Sequence, residues 1–300
     1  MPLTLIEGQY RVVGASPDGD SIRFYPIDPD AWVRSGIAAR TNAQGGAQLR
    51  LDAIDTLETH YTPPSSPHPW HQPTGLGDGA AAALLELLGF SGVERDDRGV
   101  VTAATPASTE GYILSRFADK YGRAVAMAFP GARPGGATDG ATVFLDTDEL
   151  QRSVNWQLIV DGWAYPTFYS QLYVDLRRAL ADAAVAARAA QAHVWAVDAT
   201  LSGFTLTSRQ QLSDTVVILP KLFRRIAEYL SLDQPDQVNL DGFSTFLQQR
   251  ADPLFTVPEG KATHLDTLVE VSGQTIKMSI PPEQIVFLEG ESVPSRVYPS

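Results

Sequence analysis

Three short segments hold the side chains with the most chemical potential: Asp20 in DGDSIRF, then Arg50, Asp55, Thr56 and Glu58 in RLDAIDTLE, then Arg123 in DKYGR. A cluster of carboxylates can hold a hard divalent cation. Two arginines beside it can neutralise charge on the equatorial oxygens of a phosphodiester. Together they suit metal-assisted attack on phosphorus. Each residue alone also has a plainer role. Asp20 can end a turn, Arg50 can sit on an edge strand, Asp55-Thr56 can begin a loop and Arg123 can be hairpin surface charge.

Positioning these side chains falls to a predictable set of elements. Residues 9–27 read as two strands around Pro17-Asp18-Gly19, and residues 28–46 as a loop insertion. Leu49, Leu51 and Ala53 alternate with polar neighbours as a third strand, ending where Asp55 and Thr56 begin a turn. A proline-rich loop, YTPPSSPHPWHQPTGLGDG, leads into the helix AAAALLELLGF, and residues 91–110 form a second insertion. Tyr112–Ala118 and Arg123–Phe129 flank Asp119-Lys120-Tyr121-Gly122 as a hairpin. One helix is expected from Asp146 or Thr147 to Gly162, and a longer one from about Ser170 to Trp195. That order predicts an α+β chain whose main unit, residues 1–198, is a five-stranded OB-fold barrel capped by about three helices. Residues 199–300 read as a smaller α+β module, with a helix in TVVILPKLFRRIAEYL, a hairpin in LVEVSGQTIKMSI and a strand in IVFLE.

The motifs and their intervals over residues 9–197 resemble the staphylococcal-nuclease (thermonuclease) family. Asp18-Gly19-Asp20-Ser21 is similar to that family's Asp-Gly-Asp-Thr, and Arg50 with Asp55-Thr56-Leu57-Glu58 to its Arg and Asp-Thr-Pro-Glu. Asp119 to Arg123 matches Asp-Lys-Tyr-Gly-Arg throughout, and Val154, Asn155, Gly162, Ala164 and Trp195 fall at resembling places. The resemblance implies a Ca²⁺-dependent endonuclease acting on DNA and RNA, water attacking phosphorus, the 5′ oxygen leaving and 3′-phosphates remaining. It implies that Asp20, Asp55 and the Thr56 carbonyl ligate Ca²⁺. Glu58 would orient or deprotonate water, and Arg50 and Arg123 would grip the phosphate. Lys120 and Tyr121 would touch a neighbouring phosphate, and Tyr169 (or Phe168) would stack on a base. Leu57 stands where the family has Pro, so the turn aiming Glu58 is expected to be looser.

Bulk properties narrow the partners. Net charge of -12 opposes tight duplex binding and suits single-stranded or denatured DNA and RNA. Absent cysteine excludes disulfides, zinc-thiolate sites and thiol nucleophiles. No run of 18 apolar residues occurs, so no membrane helix is expected. The start, MPLTLIEGQYRVV, lacks a signal-peptide pattern, so a cytoplasmic protein is expected unless a leader was trimmed. Three lesser features carry bland readings: Gly75–Gly79 as a cap-forming loop, His60, His68 and His71 as a loop cluster, and Arg224-Arg225 as a solvated helix face. The competing class is a non-catalytic SNase-like module binding nucleic acid or protein, and the tail could recruit a protein partner.

Overall fold

A computed structural model describes residues 1–133, 135–232 and 238–288; the end of the expected tail module, residues 289–300, lies outside the described residues. Along the chain come β1 (Pro2–Arg11), β2 (Ser21–Pro26), α1 (Ala31–Arg34), β3 (Ala47–Leu51), β4 (Ile54–Thr56) and α2 (Thr74–Leu87). The hairpin β5 (Ser91–Arg95) and β6 (Val101–Thr105) precedes β7 (Ser108–Ala118), β8 (Ala124–Pro130) and β9 (Thr142–Phe144). Next are α3 (Thr147–Leu150), α4 (Val154–Val160), β10 (Ala164–Pro166), β11 (Phe168–Tyr169) and α5 (Val174–Ala189). Beyond them lie β12 (Phe204–Thr205), α6 (Arg209–Asp214), α7 (Pro220–Leu230), α8 (Phe243–Arg250), β13 (Pro253–Thr256) and β14 (Ala262–His264). The last strands are β15 (Val269–Ser272), β16 (Thr275–Met278) and β17 (Ile285–Phe287).

Strands β2, β3, β8, β7 and β1 pair in that order, and β1 pairs back onto β2, closing a five-strand barrel compatible with an OB-fold. With the helices the chain is mixed α+β. Closure leaves no open edge among those five strands. The core around these strands gathers Leu5, Ile22, Phe24, Leu49, Leu51, Ile113 and Met127 together with Leu84 of α2, Leu158 of α4 and Leu176 of α5. Tyr10 is fully buried; its hydroxyl accepts from the Phe129 N–H (3.1 Å) and lies within hydrogen-bond reach of the Tyr112 and Phe129 carbonyls.

Several expectations shift. Asp55 and Thr56 do not begin a turn: the corner falls at Asp52-Ala53, with Ala53 in the left-handed region (φ 68°), and both residues lie on β4. The helix expected from residue 146 to 162 is split, because Ser153 caps a fresh start by accepting from the Trp156 N–H. The long helix stops at Ala189, and Trp195 follows in a 3₁₀ turn. Gly75–Gly79 belongs to α2 and is no loop. A side chain at Gly79 would strike the Trp163 ring at 2.5 Å, so the glycines let this helix pack closely.

The tail builds a second core together with the barrel's own residues. Leu57, Tyr165, Ala187, Val194 and Trp195 pack with Leu222, Phe223, Ile226, Leu254 and Ile285. Strand β17 lies parallel to β11, pairing Phe287 with Tyr169. The expected helix, hairpin and strand of the tail appear as α7, β15–β16 and β17. No helix among the described residues is long and apolar enough to cross a membrane.

Candidate phosphate-directed site

The site forms where β2, β3 and β4 meet at one end of the barrel. Ser21 pairs with Arg50 across β2 and β3, which sets Asp20 beside the end of β3; its carbonyl accepts from the Leu51 N–H at 2.8 Å. Its carboxylate reaches on to the Thr56 N–H at 3.0 Å, joining the first segment to β4. Gly19 makes that approach possible: a Cβ there would lie 2.7 Å from the Thr56 hydroxyl and from Ala80.

Asn155 on α4 fixes the corner before β4. Fully buried, it accepts from the Ala128 N–H and donates to the carbonyls of Asp52 (2.9 Å) and Ala126 (3.1 Å). Strand β4 then pairs with β10, placing Asp55 opposite Tyr165. Glu58 is held by Gln72, which accepts from the Glu58 N–H and donates its own N–H to the Glu58 carbonyl. The Gln72 side chain also donates to the Ile218 carbonyl at 2.8 Å. Leu57 is 1% exposed and belongs to the second core, so packing is available here where the family has a proline.

The central occupant is Arg224 of α7. Its fork donates to both oxygens of Asp55, at 3.1 and 2.5 Å, and to Oε1 of Glu58. The Arg224 side chain is 21% exposed and the Asp55 side chain 5%, so water screens the pair little. Arg50 flanks the group with its guanidinium 4.7 Å from the centre of the Tyr169 ring.

Electrostatics follow from this crowding. Burial, then the charges of Asp18, Asp55 and Glu58, push Asp20 well above the usual carboxylate range. Burial and the same neighbouring acids also raise Glu58, against the pull of Arg224. Burial works against ionised Asp55 too, yet Arg224 and Arg50 outweigh it and hold Asp55 below its ordinary value. Of the two, Asp20 therefore holds a proton the more readily, and Asp55 is the carboxylate that faces two arginines. At Tyr169, burial is outweighed by Arg50, Lys221 and Arg224, which lower the phenol.

No protein-family model and no curated protein matches this chain. Function therefore rests on the site's own geometry.

Of the expected site residues, Asp20, Asp55, Thr56, Glu58, Arg50 and Tyr169 come together. Lys120, Tyr121 and Arg123 stay on the β7–β8 turn. Arg123 lies two residues before Val125, the register partner of Arg50, so its backbone is near. Its side chain instead closes its own turn on Asp119 at 2.8 Å. Gly122 adopts φ 80° to make that turn. Tyr121 is 65% exposed, with Lys120 over its ring.

Calcium needs six to eight oxygen ligands. Both Asp55 oxygens and one Glu58 oxygen already accept from Arg224, and the Asp20 carboxylate accepts from a backbone N–H. In this arrangement the donors fit a guanidinium and do not fit a calcium ion. Among the described residues no cluster of three His, Asp or Glu side chains is arranged to hold a metal, His60, His68 and His71 included.

Sequence reasoning missed Arg224, taken with Arg225 as a solvated face. Arg225 in fact donates to Asp252 (2.5 and 2.6 Å) and Glu228 (2.8 Å). A signal existed. Leu222, Phe223, Ile226, Ala227 and Leu230 form a broad apolar face, and Arg224 borders it with few polar positions between.

Proposed function

We propose that the chain is a staphylococcal-nuclease-like phosphodiesterase acting on single-stranded or denatured DNA and RNA. The observation that carries this reading is the meeting of Asp20, Asp55, Thr56, Glu58 and Arg50, from segments 30 residues or more apart, beside Tyr169 at one barrel end. On this reading Arg50 neutralises a phosphate oxygen as charge builds there, and Tyr169 offers a face for the adjoining base. Glu58 is the residue nearest to serving as base, with a raised affinity for protons that suits the task. Water attacks phosphorus and the 5′ oxygen departs. Arg123 joins the phosphate only by leaving Asp119. Calcium is the cation that the resemblance implies, and it enters the test below.

A neighbouring surface supports a polyanionic substrate in spite of the acidic chain. An open cavity of about 930 Å³ begins beside Tyr169 at Ser170 and is lined by Arg116, Arg177, Arg178 and Phe255. Arg116 donates to the Gln171 carbonyl at 2.6 Å and Arg177 lies over the Phe255 ring, so three arginines and the single acid Asp175 give this cavity a net positive lining. A strand leaving Tyr169 could run along it.

The second reading, a binding module without hydrolysis, is favoured by Arg224 on Asp55 and Glu58. The deciding assay incubates full-length protein with single-stranded DNA in calcium or in chelator, beside Arg50→Ala and Glu58→Ala. Cleavage lost in both variants supports the phosphodiesterase. Binding without cleavage under either condition supports the module.

A further inference from the structure

The cation of the acidic site is part of the chain. We propose that Arg224 is its resident counter-ion, so that the carboxylates of Asp55 and Glu58 are neutralised by the guanidinium of α7 and not by a divalent metal ion. This deepens the phosphodiesterase reading, because it concerns the same site and changes the cation on which that site depends.

Three observations carry it. The first is the fit of the fork. Two parallel N–H bonds reach the two Asp55 oxygens while the outer face of the same nitrogen meets Glu58, an arrangement that a planar guanidinium makes and an ammonium cannot.

The second is that α7 cannot easily leave. Leu222, Phe223 and Ile226 are fully buried in the second core with Leu57, two residues from Asp55. Arg225 and Lys221 are tied to Asp252, at 2.5 and 2.9 Å. Withdrawal of Arg224 by movement of the helix would open that core, so this is a built-in ion and not a swinging latch.

The third is that neighbouring parts brace the same helix. Tyr61, on the loop after Glu58, donates its hydroxyl to Glu228 of α7 at 2.6 Å and packs edge-on against Phe223. Strand β17, which holds the chain beside Tyr169 through the Ser170 N–H to the Phe287 carbonyl at 3.0 Å, meets α7 where Lys221 lies 5.0 Å from the centre of the Phe287 ring. The segment after Glu58 and the strand carrying Tyr169 are both built around the position of α7.

The test is calcium chloride titrated by calorimetry, and followed by thermal unfolding, on the full chain and on Asp55→Asn, Arg224→Gln, Arg224→Lys and Arg224→Gln/Asp55→Asn. The wild-type protein is expected to show no saturable heat and no shift in Tm into the millimolar range. Arg224→Gln is expected to unfold several degrees lower in chelator and to regain that loss in calcium. Its calcium affinity should exceed the wild type's by roughly tenfold or more, the scale of one charge-assisted hydrogen bond. Adding Asp55→Asn should abolish the gain.

Saturable calcium binding by the wild type that Asp55→Asn removes would overturn the proposal. So would an Arg224→Gln protein that folds yet gains no calcium response. Should Arg224→Gln not fold, Arg224→Lys keeps the charge but not the fork, and the wild-type titration still decides. The outcome is separable from that of the phosphodiesterase reading: absence of DNA cleavage sinks that reading and leaves the calcium titration unchanged.

Discussion

The Asp119–Arg123 turn and helix α7 make opposite use of arginine. The turn matches its motif residue for residue, yet it is self-contained: Asp119 accepts from the N–H groups of Tyr121 and Arg123 and from the Arg123 side chain, all within five residues. Arg224 has no motif around it and reaches carboxylates 166 and 169 residues away. Local turn chemistry can satisfy an arginine without reference to the rest of the molecule. A long-range ion pair exists only because the second core brings α7 to the barrel. Arg123 should therefore matter little to stability and Arg224 a great deal.

The largest expected effect follows from breaking the embedded pair. Arg224→Ala leaves Asp55 and Glu58 buried without their cation, and should destabilise by about 3–5 kcal/mol in urea unfolding. A loss under ~1 kcal/mol would place Arg224 with ordinary surface arginines. Next comes Leu57→Ala, which empties a buried site where the barrel's own chain enters the second core and should lose about 2–5 kcal/mol. An effect near zero would mean that the tail and barrel are only loosely joined.

The pH dependence should be smaller and two-sided. Asp20 and Glu58 bind protons more tightly folded than unfolded, so stability should rise as pH falls from neutral through their raised range. Asp55 and Asp252 behave oppositely. Asp252, where burial is outweighed by Arg225 and Lys221, is held to about 2, so its contribution is present above the ordinary carboxylate range and lost as pH falls toward 2. Stability should peak on the mildly acidic side. Asp20→Asn should flatten the rise on the side nearer neutral and leave the acid loss intact; an unchanged profile would exclude Asp20 as a proton-holding group.

The smallest effect belongs to the exposed turn. Arg123→Ala should change stability by under ~1 kcal/mol, since its partner is local and its side chain 34% exposed. A loss comparable to that of Arg224→Ala would erase the distinction between the two regions.

Much of the barrel was legible in sequence because its signals are local. Alternation along residues 21–26 and 47–51, the glycine turn at 122 and the Asp146 cap need no distant partner to be read. The meeting of Asp20 with Thr56 was likewise anticipated, though only through motif order. What stayed hidden depends on the tail. Leu57 reads as a lost proline until Phe223 and Trp195 are seen around it, and the helix break at Ser153 shows only when its hydroxyl accepts from Trp156. Arg224-Arg225 looks like solvent-facing charge on helical spacing alone, because nothing local reveals that Asp55, Glu58 and Asp252 wait opposite.

A double-mutant cycle over Arg224→Met and Asp55→Asn, read by urea unfolding at neutral pH, tests the ion pair between tail and barrel most directly. The pair as described should give a coupling energy of about 1.5–3 kcal/mol, with the double variant more stable than the sum of the single losses. Additive losses, with coupling indistinguishable from zero, would contradict it.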